Sequence, residues 1–234
     1  MRSVRCTAIV LAAGQGKRMN SSTPKQFLVI DERPILYYCL NTFQNSKFID
    51  EIILVVSEEV QEYCKREFVE KYAMNKISNI VLGGKERYLS VWNGLASVKE
   101  GYVFIHDGAR PFVDDGMIER AYRGVREYSA CVVGMPVKDT IKIVDENGFA
   151  RETPPRNELW MIQTPQVFEA DLVKEAYSQF IMQGHHHATD DAMIVEEMMK
   201  HPVKLIKGSY ENIKITTPED LKVANSFAQS TISL

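Results

Sequence analysis

The sequence predicts the α/β class: a Rossmann-like three-layer domain with a mostly parallel sheet and a projecting β-hairpin arm. Short apolar runs alternate along the chain with amphipathic segments. Glycine-rich or polar turns follow the apolar runs, and a polar stretch at 138–158 interrupts the alternation once. Buried strands that alternate with amphipathic helices form a parallel sheet covered by helices on both faces. We therefore expect one domain over 1–234, with 138–158 as its arm.

The first part of the chain supplies most of the expected sheet. Apolar, β-branched runs predict strands at TAIVL (7–11), EIILVVS (51–57), 77–82, YVFIHD (102–107) and ACVVGMPV (130–137). Helical spacing of apolar residues predicts helices at 35–43, 58–73, 89–96 and 115–128.

The last third of the chain returns to the same alternation. Strands are predicted near 160–164, 203–206 and 213–215, and helices at about 169–183 and 190–199. A final helix is predicted to begin at Pro218, with Thr217 as its cap and Asp220 completing a capping box.

The segment 138–158 reads as a two-stranded arm. It contains IKIV, and Asn147-Gly148 is a strong signal for a hairpin turn. An isolated hairpin is marginally stable in water. We therefore expect the arm to pack on a second copy of the chain and to make a homodimer.

Composition excludes several classes of protein. The 234 residues are 45% hydrophobic and 25% charged, with a net charge of −3, so no basic face for nucleic acid is expected. No apolar stretch approaches the ~18 residues of a membrane span, and we expect a cytoplasmic chain. The four cysteines stand singly in apolar segments and are expected to be buried, reduced thiols.

The first loop, Leu11-Ala12-Ala13-Gly14-Gln15-Gly16-Lys17-Arg18-Met19, carries small residues and cations. Small residues let a backbone approach a phosphate closely, and consecutive N–H groups bind anions. Met19 excludes the dinucleotide fingerprint, and Leu11 and Arg18 exclude a Walker A loop. What remains is a glycine loop whose Arg18, with Lys25 after it, can face a triphosphate.

Six ordered motifs extend this pattern. They are GGKERYLSVWNGL (83–95), HDGARPFV (106–113), PVKDTIK (136–142), LWMIQTPQVF (159–168), TDDAMIVE (189–196) and NIKITTPEDL (212–221). With LAAGxGxRM and PK they resemble the 2-C-methyl-D-erythritol 4-phosphate cytidylyltransferase family over residues 7 to about 228. The resemblance implies CTP and a polyol phosphate as substrates and Mg²⁺, or another divalent cation, as cofactor.

The resemblance also implies roles for individual residues. The catalytic cations would be Arg18, Lys25 and Lys214. The nucleotide-binding residues would be Ala12, Ala13, Gly14, Gly16, Gly83, Gly84, Arg87, Ser90 and Asp107. Asp107 would also bind the metal, since it ends a strand at the carboxyl edge of the sheet and magnesium prefers oxygen ligands. Its neighbour His106 is expected to be a hydrogen-bonded strand-end residue.

Four further residues concern the acceptor substrate, the polyol phosphate: Arg110, Thr140, Arg156 and Thr189. By resemblance they bind the polyol phosphate, and the arm carries Thr140 and Arg156 toward the partner's site. Thr189 could instead cap a helix, and Arg110 could make a structural salt bridge. Two other functions stay open at this point: a ribitol 5-phosphate cytidylyltransferase, and a non-catalytic nucleotide-binding regulator.

Overall fold

The computed structural model describes residues 4–14, 24–184 and 187–232, with side chains through 228. The sheet and its attachments comprise β1 (Cys6–Ala12), β2 (Val29–Ile30), β3 (Arg33–Pro34), β4 (Glu51–Val56), β5 (Ile77–Leu82), β6 (Tyr102–Asp107), β7 (Ala130–Pro136), β8 (Ile143–Val144), β9 (Ala150–Glu152), β10 (Trp160–Glu169) and β11 (Lys204–Lys207). The helices are α1 (Ile35–Asn45), α2 (Gln61–Cys64), α3 (Arg87–Leu95), α4 (Asp115–Tyr128), α5 (Ala170–Met182), α6 (Asp191–Met199) and α7 (Pro218–Ile232).

Seven strands form the central sheet in the order β11-β7-β10-β6-β1-β4-β5. The pairs β1–β4, β1–β6, β4–β5 and β11–β7 are parallel, whereas β10 runs antiparallel to both β6 and β7. The prediction of a mostly parallel sheet is therefore confirmed. β1 lies between β4 and β6, so the chain passes to both sides of its first strand, which is where open α/β sheets bind ligands.

Alternate residues of the central strands pack into two separate cores. Ile9 and Ile53 join one core with residues of α3, α5 and α6. Val10 and Leu54 join the other with residues of α1 and α4. All four side chains are fully buried. This is the three-layer arrangement expected for strands that are apolar on both faces.

The prediction of a strand at 213–215 is wrong. The segment pairs with no strand; instead the Ile215 N–H donates to the Ala109 oxygen at 2.9 Å. This single bond ties the segment across the loop that follows β6. It therefore brings Lys214 to the edge of the sheet, although no ladder holds it there.

The segment predicted to be helical at 58–73 is helical over 58–71, but its geometry is irregular. A 3-10 turn at Glu58–Val60 leads into the single turn α2, which buries Cys64, and the π-helical segment Lys65–Lys71 buries Phe68. The strand predicted near 160–164 is longer than expected, since β10 extends to Glu169. The sequence reasoning missed the small hairpin β2–β3.

The start of the last helix follows its capping signal. Asp220 accepts hydrogen bonds from the Thr216 and Thr217 N–H groups at 2.8 and 2.9 Å. Pro218 occupies the first helical position, where its missing N–H is not needed. The predicted start of α7 is confirmed.

The arm contains the predicted hairpin. β8 and β9 pair antiparallel, and Asp145 accepts the Asn147 and Phe149 N–H groups, each at 2.9 Å. Gly148 has φ of +83°, a conformation that glycine adopts without steric cost. Within the described ranges, no helix has the length and apolar character needed to cross a membrane.

The four cysteines all lie in the core that contains Val10 and Leu54, and they test its packing. Cys6, Cys39, Cys64 and Cys131 are buried and unpaired, and burial raises the pKa of each thiol to about 12. We expect no reaction with a disulfide reagent at pH 8 in the native protein, because the thiolate is the nucleophile. All four thiols should react in guanidinium chloride. Rapid reaction of a thiol in the native protein would contradict this packing.

Candidate active site

One cavity of about 700 Å³ opens at the carboxyl ends of β1, β4, β5 and β6. Ten of the residues selected from the sequence line it: Ala12, Ala13, Gly14, Lys25, Gly83, Gly84, Arg87, Ser90, Asp107 and Lys214. They come from distant parts of the chain and meet because parallel strands end at the same edge of a sheet. The predicted residues Gly16 and Arg18 lie outside the described residues.

Asp107 is the centre of the charged groups in this cavity. Arg87 Nε lies 3.2 Å from its Oδ1 and Lys214 Nζ lies 2.7 Å from its Oδ2. Burial alone would raise the pKa of Asp107, but Arg87, Lys214 and Arg110 hold it well below its usual range. The carboxylate therefore stays ionised between two cations.

The glycine pair lets two loops pack against each other. A Cβ atom on Gly83 would lie 2.4 Å from Ala13 Cβ and 3.0 Å from Ser90 Oγ, and one on Gly84 would lie 2.3 Å from Leu89 Cβ. Ser90 Oγ also accepts the Gly84 N–H at 3.0 Å. Only glycine at 83 permits this close approach between the loops that follow β1 and β5.

Gln26 stabilises the start of the first loop. Its side chain is buried, and its Nε2 donates to the Ala12 oxygen at 2.6 Å and to the Gly14 oxygen at 3.0 Å. The sequence reasoning missed this residue, although it stands beside Lys25 in the PK motif. A glutamine that follows the lysine of this motif, shortly after a glycine loop, is the sequence signal that could have identified it.

His106 is hydrogen-bonded through both ring nitrogens, as predicted. Nε2 lies 3.0 Å from the Arg110 oxygen and Nδ1 lies 3.0 Å from Thr164 Oγ1, which also accepts the Asp107 N–H at 3.1 Å. A carbonyl oxygen only accepts, so Nε2 carries the proton and Nδ1 accepts from the hydroxyl. This chain of bonds fixes the backbone on both sides of Asp107.

The metal ligands that the cavity can supply suit a magnesium ion that binds together with a polyphosphate. Over the described ranges, no three His, Cys, Asp or Glu side chains are grouped to hold a metal. Asp107 faces the cavity with its carboxylate between the cations of Arg87 and Lys214. Mg²⁺ is commonly held by one or two carboxylates together with substrate phosphates and water, and Asp107 is suited to that arrangement.

The four predicted acceptor-side residues do not line this cavity. Arg110 donates to the Asn212 oxygen at 2.8 Å, its Nε is buried without a partner, and burial lowers its pKa. Its hydrogen bonds go to backbone carbonyls, and within the described part of the chain it makes no salt bridge. Thr189 is exposed, and the helix cap is Asp190, whose Oδ1 accepts the Met193 N–H at 2.9 Å.

Thr140 and Arg156 lie at the base of the arm, where both are exposed. Arg156 Nη1 donates to the Lys138 oxygen at 2.9 Å and so fastens the two sides of the arm together. Within one chain, neither residue reaches the cavity lining.

Besides Gln26, the sequence reasoning missed a group of lining residues and one buried residue next to the cavity. Ser57, Glu58 and Glu59 follow β4 and line the cavity. Asp191 is fully buried beneath it and binds Arg87 through two hydrogen bonds of 2.7 and 2.8 Å. The position of Ser57 at the end of a predicted strand could have indicated the first group, whereas nothing local distinguishes Asp191 from the cap residue beside it.

Comparison with known proteins agrees with this geometry. The family model described as 2-C-methyl-D-erythritol 4-phosphate cytidylyltransferase matches residues 6–230. A protein of that name from Lachnospira eligens is 49% identical over 94% of this chain and 98% of its own length. One from Caldanaerobacter subterraneus is 48% identical over 94% and 97% of the two chains.

Solved structures with the same fold carry equivalent names. The 4-diphosphocytidyl-2C-methyl-D-erythritol synthase of Anaerococcus prevotii superposes with a TM-score of 0.84 at 33% identity, covering 97% of this chain and 96% of that one. The 2-C-methyl-D-erythritol 4-phosphate cytidylyltransferase of Thermus thermophilus gives 0.78 at 28% identity, covering 94% and 98%. The chain belongs to the 2-C-methyl-D-erythritol 4-phosphate cytidylyltransferase family.

Proposed function

We propose that this chain transfers the cytidylyl group of CTP to 2-C-methyl-D-erythritol 4-phosphate, giving 4-diphosphocytidyl-2-C-methyl-D-erythritol and pyrophosphate. The observation that carries the proposal is a cavity whose lining brings Lys25, Lys214 and the glycine loops together with Asp107. Family membership over residues 6–230 supplies the substrates. The relatives are named for methylerythritol phosphate, so the ribitol phosphate alternative is not favoured.

The reaction brings together two anions. A phosphate oxygen of the acceptor attacks the α-phosphorus of CTP in line, the α–β bridging bond breaks, and pyrophosphate leaves. The attacking oxygen is already ionised, so no strong general base is needed. The main barrier is repulsion, since two unit charges 4 Å apart interact by about 4 kcal/mol at an effective dielectric of about 20. Cationic side chains at the meeting point lower that barrier.

Each side of the cavity then has its own task. The backbone from Ala12 to Gly16 cradles the phosphates, and Arg18, Lys25 and Lys214 stabilise the charge that develops on the α-phosphate. Gly83, Gly84 and Ser90 accommodate the nucleoside. Arg87 holds Asp107 in place. When bound, the divalent cation neutralises the triphosphate, and Asp107 is the residue that would hold it.

The acceptor phosphate is bound from two directions in this proposal. Arg110 and Thr189 come from the same chain, and the partner's arm contributes Thr140 and Arg156. Arg110 supports this because its buried Nε has no hydrogen-bond partner among the described residues, and a buried donor gains stability from an anion. The polyol phosphate therefore binds beyond the nucleotide cavity, beside the α-phosphate.

We also propose that the domain works as a homodimer built through the arm 138–158. Phe149, Val144 and Ile141 are 71%, 54% and 41% exposed in the single chain. Exposed apolar side chains clustered on a projecting hairpin are typical of an interface. The unpaired thiols are typical of a reducing compartment, and we expect the enzyme to act in the cytoplasm.

The function is tested by a product assay with CTP, Mg²⁺ and purified protein. Methylerythritol phosphate should give pyrophosphate and the diphosphocytidyl product. Ribitol 5-phosphate as acceptor, or UTP or ATP as donor, should give much less. Efficient turnover of ribitol phosphate, or no pyrophosphate with any acceptor, would contradict the proposal. The second outcome would favour a nucleotide-binding regulator.

Removing one catalytic cation should slow the chemical step. We expect Lys25→Ala to lower kcat by roughly 10²–10³, the usual loss for one preorganised donor. Lys99→Ala is the matched control, since Lys99 is exposed and precedes β6 at the opposite edge of the sheet. A kcat for Lys25→Ala within threefold of the wild type would remove Lys25 from the mechanism.

Filling the space beside the glycine pair should weaken nucleotide binding. The added methyl of Gly83→Ala would overlap Ala13, which costs about 1–3 kcal/mol for overpacking, so the KM for CTP should rise by roughly tenfold or more. Gly116→Ala, on the exposed first turn of α4, is the control. A Gly83→Ala enzyme with wild-type KM for CTP would show that the two loops do not act together.

The arm is tested by its most exposed aromatic residue. Phe149→Ser should convert a dimer of 26.7 kDa chains into monomers in light scattering after gel filtration, and activity should fall because each site loses the partner's arm. Met182→Ser removes an equally exposed apolar side chain from the end of α5 and should leave the dimer intact. A wild-type monomer, or a dimeric Phe149→Ser variant, would contradict the proposed assembly.

A further inference from the structure

Arg87 is shared between two carboxylates at the floor of the cavity. Its two terminal nitrogens bind Asp191 Oδ1 and Oδ2 at 2.7 and 2.8 Å, whereas only its Nε contacts Asp107, at 3.2 Å. The side chain of Asp191 is fully buried, and that of Asp107 is 11% exposed toward the cavity. The stronger, bidentate pairing is therefore made with the carboxylate that no ligand can reach.

Asp191 is itself held from two sides. Tyr177 on α5 donates its hydroxyl to Asp191 Oδ1 at 2.5 Å. Gln166 on β10 accepts the Asp191 and Ala192 N–H groups, each at 2.9 Å, through its Oε1. Gln166, Tyr177 and Asp191 are all buried. This network fixes the first turn of α6, and the carboxylate on it, before any substrate binds.

A rearrangement of Arg87 would affect the neighbouring carboxylate. Lys214 already lies 2.7 Å from Asp107 Oδ2. Suppose that the two terminal nitrogens of Arg87, its guanidinium fork, turned from Asp191 to Asp107. Both carboxylate oxygens of Asp107 would then make short ion pairs with the side chains of Arg87 and Lys214. A divalent cation would then have to displace a bidentate arginine pair, which is stronger than the single Nε contact present here.

We infer that Asp191 is a positioning residue that holds the fork of Arg87 away from Asp107 and so leaves Asp107 available to a metal-bound nucleotide. The inference rests on the proposed function, because it assigns to Asp107 the task of meeting the metal and the triphosphate. Asp191 touches neither substrate. It acts through Arg87, and Tyr177 supports it by holding Oδ1.

The test compares metal dependence among isosteric variants. Asp191→Asn keeps the volume and removes the charge that binds the fork. We expect the Mg²⁺ concentration for half-maximal velocity to rise about tenfold, on the scale of one charge-assisted hydrogen bond. Calorimetry without acceptor should show CTP with Mg²⁺ binding about tenfold more weakly. Tyr177→Phe should shift both quantities in the same direction by a smaller factor.

Two further variants separate positioning from a structural role. Glu197→Gln removes an exposed carboxylate from the same helix and should leave both quantities unchanged. In an Arg87→Gln background, Asp191→Asn should have no further effect on metal dependence, because no guanidinium remains to move onto Asp107. A change in melting temperature alone, with wild-type metal dependence and CTP binding, would overturn the inference.

The outcomes also distinguish this inference from the proposed function. A wild-type protein that makes no product and binds no CTP with Mg²⁺ would overturn the function itself. An active wild type whose Asp191→Asn variant keeps the normal metal requirement would overturn only the role of Asp191. If Asp191→Asn does not fold, Tyr177→Phe decides: an unchanged metal requirement in that variant would contradict the inference.

Discussion

The ion pairs around Asp107 are the interaction on which the rest of the site depends. An ionised carboxylate at the end of a buried strand is stable only if cations compensate its lost hydration. Arg87 and Lys214 do so at 3.2 and 2.7 Å. Because those cations come from α3 and from the segment after β11, the charge balance also joins three parts of the chain.

The same arrangement suits the chemistry of a reaction between two phosphates. Positive charge has to be concentrated where the anions meet, yet the whole chain carries a net charge of −3. The fold resolves this by placing its cations locally, at one edge of the sheet, and by holding them with buried carboxylates. Asp191 and Asp107 thus fix positive side chains that would otherwise repel one another, and preorganised charge of this kind lowers a barrier without further rearrangement.

The acceptor side is built differently from the nucleotide side. Strand ends and closely packed glycine turns form the cavity proposed for the nucleotide, whereas Thr140 and Arg156, proposed for the acceptor, stand on an exposed arm and do not line it. If the proposed homodimer forms through this arm, the partner's arm completes the site. We therefore expect assembly and catalysis to be linked, with the apolar residues of the arm stabilising the interface that brings the acceptor residues into place.

The sequence by itself determined most of the sheet and the arm, because apolar periodicity, glycine turns and capping signals are local properties of the chain. Its ordered motifs, through their resemblance to a known family, indicated the residues around the cavity. The strand predicted at 213–215 was wrong because one long-range bond, from Ile215 to Ala109, replaces a ladder there. Only the tertiary structure decided that Gln26 braces the first loop and that Asp191 binds Arg87. The contacts of Gln26 span 14 and 12 positions of the chain, and the contact between Arg87 and Asp191 spans 104 positions. A buried ion pair leaves no pattern in the sequence around either partner.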